Sequence, residues 1–279
     1  MPFHLSDCWP LSLTRSIQEF PIGNISLAQH QRRIVESSNI TVNPCAWITR
    51  PDFLTLMNGE IDMLTDSLHQ PIAWKGNAAS AISAVVATSS FIIRYSWDLL
   101  RANELYVSEL DQSVILGDVH SSAVVEGILH LGEGTRILPG VFIEGNVVIG
   151  SNCKIGPNCY IRGNTSIGNH CHIGQSVEIK NCLILSHSNV GHLSYVGDSV
   201  LGEKVNLGAG TTVSNLRHDG ATHRSMVGET LVDTGRRKFG TIIGDHVHTG
   251  INTSIYPGRK LWPNTSTRPG EIVQRDICS

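Results

Sequence analysis

Val119, Val125, Leu131, Ile137, Ile143, Ile149, Ile155, Ile161, Ile167, Ile173, Ile179 and Leu185 fall six residues apart without a miss. A period of six is neither the 3.6 of a helix nor the plain 2 of an open strand. It suits a chain that winds in flat sides, each putting one aliphatic residue inward before turning a corner. Two residues earlier the position is small or branched, as at Thr135, Val141, Val147, Cys153, Cys159, Thr165, Cys171 and Val177. Glycine often follows the aliphatic, as at Gly132, Gly150, Gly156, Gly168 and Gly174, which suits the positive φ that a corner requires.

Such hexads resemble those of the left-handed parallel β-helix, in which three sides make a coil of eighteen residues. The handedness comes from that resemblance, since spacing does not supply it. The expected fold is mainly β, with this β-helix over residues 111–279 preceded by a small α/β region at 1–95. About nine coils between 112 and 273, with strands ~4.8 Å apart, would build a prism ~40 Å long. Solenoid ends expose unpaired strand edges and need caps. The stretch "SWDLLRANELYVSEL" (96–110), apolar at helical spacing, is the expected linker and N-terminal capping helix.

Seven cysteines in 279 residues lack the density of a secreted disulfide scaffold and read as reduced thiols of a cytoplasmic protein. Cys153, Cys159, Cys171 and Cys182 take, or nearly take, the small inward position, which points to core packing and no metal cluster. A net charge of −3 argues against a nucleic-acid or polybasic membrane surface. The opening "MPFHLSDCWP" has no basic segment followed by an apolar one, so no secretory signal is expected. The uncharged "NAASAISAVVATSSFII" (77–93) is diluted by Ala, Ser and Thr and reads as a helix running into a strand, not a membrane span.

After Ile179 the aliphatics read better at Ile184, Val190, Val196, Leu201, Leu207 and Val213. Two steps of five replace steps of six, which suggests a reshaped wall around His192. Residues 216–240 abandon the hexads and read as a loop thrown out from the prism before Ile243. Long ordered loops on a rigid scaffold usually carry function.

The stretch "KNCLILSHSNVGHLSYVGDSVLGEKVNLGAGTTVSN" closely resembles the acetyltransferase domain of glucosamine-1-phosphate N-acetyltransferase, half of the bifunctional enzyme that makes UDP-N-acetylglucosamine. The later "LVDTGRRKFGTIIGDHVHTGINTSIYPGRK" looks more like the archaeal sugar-1-phosphate nucleotidylyltransferase/acetyltransferase branch, as does "SWDLLRANE". The resemblance covers about residues 95 to 275. It implies an acetyl-CoA-dependent N-acetyltransferase acting on an amino-sugar 1-phosphate, glucosamine or its galactosamine epimer, in a cytoplasmic homotrimer with sites between chains.

Acetyl transfer from a thioester to an amine needs a base, a stabilised oxyanion and anchors for phosphorylated substrates. His192, after Gly191, matches the family's catalytic histidine. Arg162 and Lys180 lie eighteen residues apart, one coil, each directly after an inward aliphatic. They should therefore stack, and they match the family's phosphate-binding pair. Tyr195 and Asn206 match sugar contacts, and Lys238 corresponds to the lysine after the family's loop. Asn215 matches the asparagine near the acetyl group; it could orient the acceptor amine or donate to the thioester oxygen. By resemblance, Asn215, Ile251, Arg259 and Pro269 contact the coenzyme. Arg236, Arg237, Lys260 and Arg268 add positive charge for its phosphates. Leu216 stands where the bacterial enzyme has an aromatic coenzyme contact, and "IVQRDICS" ends the chain without the bacterial C-terminal extension.

Before residue 110 there is no Gly-rich loop of the type L-x-x-G-x-G-[ST]-x-[ML] that would cradle a triphosphate. "WPLSLTRSIQEFPIGNISLAQHQRRI" (9–34) weakly resembles the opening of nucleotidyltransferase-like proteins fused to this β-helix. Residues 1–95 therefore read as a reduced remnant without nucleotidyltransferase activity that caps, packs or serves oligomerisation. Two other functions fit the same fold. One is a γ-class-like zinc carbonic anhydrase, since His187 and His192 have its five-residue spacing. Its third ligand should lie two coils upstream, where Ser151 and Gly156 sit. The other is a non-catalytic scaffold, which would need none of the residues above.

Overall fold

A computed structural model describes residues 5–36, 38–78 and 81–279, in two compact units. Residues 95–279 form the larger unit together with 5–14 and 21–24. Its chain winds through three parallel sheets. The first wall runs from Asp118–Val119 through Arg136–Ile137, Lys154–Ile155, His172–Ile173 and Asn189–Val190 to Asn206–Leu207, with single pairings continuing at His248 and Ser266. The second wall holds eight strands from Val124–Glu126 to Ile272–Val273, and the third holds eight from Val114–Ile115 to Arg259–Leu261. This is the left-handed parallel β-helix that the resemblance of the hexads implies.

The inward aliphatics stack coil on coil. Ile143 pairs with Ile161 and Ile161 with Ile179, one residue per coil in a continuous interior column. Cys153, Cys159, Cys171 and Cys182 sit inside the same core as free thiols. Burying such a column contributes about 1.5–3 kcal/mol per Leu or Ile side chain, so no single coil is independent of its neighbours. Val119 and Val125 are only partly buried, because the first coil has a neighbour on one side alone.

The glycines after the aliphatics serve a different purpose from the one their position suggests. Among Gly132, Gly150, Gly156, Gly168 and Gly174, only Gly156 has positive φ. The left-handed residues lie two positions on, for example Gly134, Asn152, His170 and Ser176. Gly132, Gly168 and Gly174 are required by stacking. A Cβ on Gly168 would lie 2.5 Å from the Ser186 nitrogen of the next coil, and one on Gly174 would lie 2.8 Å from that of His192. Close backbone approach, and not backbone conformation, excludes a side chain there.

Helix α3, Ser96–Ser108, does not cap the N-terminal end of the prism. It packs along the outside of the third wall, against Thr165–Ile167, Leu183–Ile184 and Val200–Leu201. From the third strand on, the outward column of that wall is Val148, Ser166, Leu183, Val200, Ile242 and Lys260, all buried. Trp97, Leu100 and Val107 of the helix are buried in turn. The same outward position on the first wall reads Arg136, Lys154, His172, Asn189 and Asn206. A dry third wall therefore explains why the helix lies there and leaves Ile115 and Leu116 of the first coil exposed. The division at residue 95 is crossed as well. The Gly23 amide donates to Asn103 Oδ1 (3.0 Å), and Asn24 Nδ2 donates to the Ile167 carbonyl (2.7 Å).

Lys260 ends that column, 1% exposed, its Nζ donating to the Met226 carbonyl at 2.6 Å and lying 5.6 Å from the Trp97 ring centre. It is therefore not a surface cation. Burial pushes its pKa down to about 8, with Asp276, Cys8, Asp7 and Cys278 acting in the opposite direction. The unfolded lysine keeps its proton to about 10.4. Between these values the unfolded chain binds more protons, so stability rises with pH from about 8 to about 10.4. Lys260→Met should flatten that rise, which amounts to a few kcal/mol at most, and urea midpoints measured at intervals from pH 7 to 11 would show it.

The second unit comprises residues 15–20 and 25–94. It holds α1, Leu27–Val35, and α2, Arg50–Asn58. A four-stranded sheet runs in the order Ile40–Val42, Pro71–Lys75, Met63–Thr65, Ala84–Val86. Its core is Ile40, Ile48, Phe53, Leu56, Leu64, Ile72 and Ile92. Residues 77–93 form no α-helix in their described part; Ala84–Val86 and Phe91–Ile92 are strands, and residues 79–80 lie outside the described ones. No helix among the described residues is long and apolar enough to cross a membrane.

Candidate functional site

The second wall turns into the third at a corner whose left-handed position is glycine in three successive coils, Gly127, Gly145 and Gly163. Asn181 and then Asp198 take this place, at φ 52° and 50°. Positive φ is unfavourable for residues with a Cβ, although Asn and Asp tolerate it best. The two five-residue steps, Ile179 to Ile184 and Val196 to Leu201, cross this same corner. His192 lies instead at the corner between the first and second walls, where Val190 to Val196 keeps the regular six. The shortening thus reshapes the corner beside Lys180, not the one that holds the histidine.

Arg162 and Lys180 pair in register on adjacent coils at the end of the second wall, as their spacing predicts. Each is already engaged. Arg162 forms an ion pair with Glu178 at 2.8 Å, and Lys180 Nζ lies 2.9 and 3.1 Å from the Asp198 oxygens. Asp198 is 2% exposed and also accepts from Asn181 Nδ2 (2.9 Å) and Asn215 Nδ2 (2.6 Å). Asn215 Nδ2 further donates to the Tyr195 hydroxyl at 2.9 Å. Burial raises the Tyr195 pKa, with Asp198 adding to it. Asn181 reaches Glu104 of α3 (2.6 Å), which receives Arg236 of the inserted loop. Three of the residues selected from the sequence, Lys180, Tyr195 and Asn215, therefore gather at one corner, with Arg162 stacked on Lys180 from the preceding coil.

The inserted segment springs from this corner too. The Phe239 amide donates to the Asn215 carbonyl and the Gly240 amide to that of Asp198. Inside the segment Arg224–Val227 and Thr230–Asp233 form a hairpin. His223, 2% exposed, ties it to the site, with Nε2 3.0 Å from the Asn215 carbonyl oxygen. Burial pushes the His223 pKa down. Lys238 pairs through its backbone with Leu216 and its side chain is exposed.

His192 is exposed on its own corner, and its carbonyl accepts from Gly210 of the next coil. Along that corner the equivalent places are Ala209, Ile251 and Pro269, because Asn252 bonds to Ala209 and Gly270 to Ile251 in the same manner. The histidine and two of the expected coenzyme contacts thus form one exposed column. Asn206 projects from the first wall, one coil beyond Asn189. Arg259 stands apart from this column and lines a cleft of ≈ 390 Å³ with Arg217, Arg224, His223 and Asp233.

His187 occupies the third corner, stacked on His170 with ring centres 4.9 Å apart. It and His192 flank the short strand Asn189–Val190 from opposite ends. No three potential metal ligands converge within the chain among the described residues.

Asp198, Asn181 and Glu104 are the residues sequence reasoning passed over. The available signal was the replacement of Gly145 and Gly163 by polar residues at the places where a coil loses one residue.

A left-handed β-helix of hexapeptide repeats, with a cation pair at one corner and a histidine column at the next, defines a hexapeptide-repeat protein. Residues 143–266 match the family model described as the GMPPB C-terminal domain. The chain is 41% identical over 181 residues to the bifunctional sugar-1-phosphate nucleotidylyltransferase/acetyltransferase of Sulfurisphaera tokodaii, covering 65% of this chain and 45% of that protein. It is 40% identical to the bifunctional protein GlmU of Methanococcus aeolicus, over 65% of this chain and 44% of that one. The chain therefore spans less than half the length of these relatives. The crystal structure of a UDP-N-acetylglucosamine acyltransferase aligns over 58% of this chain and 68% of its own, at 13% identity and a TM-score of 0.29. The resemblance read from the sequence, to the archaeal branch of these bifunctional proteins, stands.

Proposed function

We propose that the protein is an acetyl-CoA-dependent N-acetyltransferase that converts glucosamine 1-phosphate to N-acetylglucosamine 1-phosphate, working as a homotrimer in the cytoplasm. The acetyltransferase activity of the Sulfurisphaera tokodaii relative supports the reaction class. The observation that carries the reading is the register-paired Arg162 and Lys180, tied through Asp198 to Asn215 and facing the His192 edge across Tyr195. From Lys180's place to the histidine corner the wall spans about 10–15 Å. A hexose phosphate lying over Tyr195, met by long cationic side chains at one edge and an imidazole at the other, fills such a gap.

In this reading Arg162 and Lys180 hold the phosphate dianion. His192 takes the proton as the sugar amine attacks the thioester carbonyl, and collapse of the tetrahedral species breaks the C–S bond. The coenzyme leaves as a thiolate and is protonated. Ile251 and Pro269 line the approach of the coenzyme along the histidine column, with Asn206 and Lys238 as further substrate contacts and Arg259 for a coenzyme phosphate. Because α3 covers the third wall, the first and second walls are the faces open to neighbouring copies. Residues 1–95 are read as a reduced nucleotidyltransferase-like region without that activity.

A free-thiol release assay with acetyl-CoA and a panel of amino-sugar 1-phosphates tests the proposal. Release is expected with glucosamine 1-phosphate, or with its galactosamine epimer. No release with any acceptor overturns the enzymatic reading, and UTP-dependent pyrophosphate release overturns that of the N-terminal region.

A further inference from the structure

We infer that Asp198 is a positioning residue that fixes Asn215 as a hydrogen-bond acceptor toward the substrate, and not as a donor to the thioester oxygen. The inference rests on the acetyltransferase reading and resolves a choice that the sequence left open. Asp198 is buried, and its two oxygens accept from Lys180, Asn181 and Asn215. An ionised carboxylate only accepts, so the amide nitrogen of Asn215 must be the atom that faces it. That nitrogen has two hydrogens. One goes to Asp198 Oδ2 at 2.6 Å and the other to the Tyr195 hydroxyl at 2.9 Å. Both donors are spent, and Asn215 Oδ1 alone remains for a ligand.

A carbonyl oxygen suits the acceptor sugar's amine, which carries hydrogens to donate. It does not suit the thioester oxygen or the oxyanion that develops from it, which need donors. Asn215 therefore orients the attacking nitrogen, and stabilisation of the oxyanion falls to another group. The same carboxylate holds Lys180, so the phosphate anchor and the amine anchor share one rigid hub. Asn181, Glu104 and Arg236 extend that hub to α3 and to the inserted loop. Asp198 occupies a left-handed backbone position that asparagine also tolerates, so the test substitution is compatible with the backbone.

In Asp198→Asn an amide nitrogen can face Asn215, which then turns its oxygen inward and presents hydrogens to the ligand. We expect kcat/KM for glucosamine 1-phosphate to fall by about 100-fold. The double variant Asp198→Asn with Asn215→Asp restores donor facing acceptor, keeps the number of carboxylates and again presents an oxygen. It should recover about tenfold or more of the loss. In Asn215→Ala, calorimetry should show about tenfold weaker binding of glucosamine 1-phosphate and unchanged binding of 2-deoxyglucose 1-phosphate, which lacks the amine. A merely structural role would weaken both ligands alike.

Equal weakening of the two ligands, or a double variant no better than Asp198→Asn, overturns the inference. If Asp198→Asn alone does not fold, the double variant decides: turnover within about tenfold of wild type supports the inference and its loss overturns it. Absence of thiol release from the wild-type protein overturns the acetyltransferase reading and this inference together. Release by the wild type with no change in Asp198→Asn overturns the inference alone.

Discussion

His192→Ala should lower kcat by about 10²- to 10⁴-fold, the usual contribution of a positioned general base. KM for the sugar phosphate should change little, because in the proposed arrangement Arg162 and Lys180 hold the phosphate at the other edge of the wall. Stability should stay within about 0.5 kcal/mol of wild type. The imidazole is exposed and makes no side-chain hydrogen bond to a described residue, so its removal leaves no cavity and no orphaned partner. Steady-state kinetics beside a thermal melt and a size measurement would separate these outcomes. Retained turnover would show that the histidine column serves only the surface.

Lys180→Ala should act on both stability and binding. The Lys180–Asp198 pair is largely dry, with side chains 15% and 3% exposed. Removing the ammonium strands a buried carboxylate with two amide donors, and breaking such a pair from one side costs about 3–5 kcal/mol. The variant should unfold at lower urea and bind glucosamine 1-phosphate at least about tenfold more weakly. Lys180→Met combined with Asp198→Asn removes both charges together. Replacing a whole buried pair is often neutral, so stability should largely return while phosphate binding stays weak. Recovery of binding in that double variant would mean that Lys180 is structural alone.

Much of the architecture was legible because a stacked coil repeats one local rule. Ile143, Ile161 and Ile179 meet the same surroundings in every coil, so six-residue spacing marks the core, and with the three-sided coil that the resemblance implies it also places Arg162 on Lys180. Helix α3 lies along the third wall, and not at the expected end of the prism, for a reason visible in the outward positions. Val148, Leu183, Val200 and Ile242 form a dry face, which the six-residue period of inward aliphatics does not mark. Lys260, expected to add positive charge for the coenzyme phosphates, is buried instead, because a lysine under a tryptophan leaves no local mark in the sequence. The position of the glycines at 132, 168 and 174 suggests turning of the chain, whereas the next coil's backbone is what excludes their side chains.

For the site, motif blocks pointed to Lys180, Tyr195 and Asn215, and the structure gathers these three at one corner. The role of Asp198 was not legible. Its importance lies in which atoms its oxygens meet, and those atoms come from residues 180, 181 and 215 on neighbouring coils.

The six-residue period in the amino-acid sequence marks the flat sides and the aliphatic contents of the core, because one inward residue predicts the next. Three sides to a coil, and with them the register of Arg162 on Lys180, follow once the resemblance to the β-helix family is added to that period. Folding in three dimensions sets where α3 lies, that Lys260 is buried, and that Asn215 has spent both of its hydrogens. Those depend on contacts between segments far apart in the chain, where burial and hydrogen-bond direction are set by the partner and not by the neighbours in sequence.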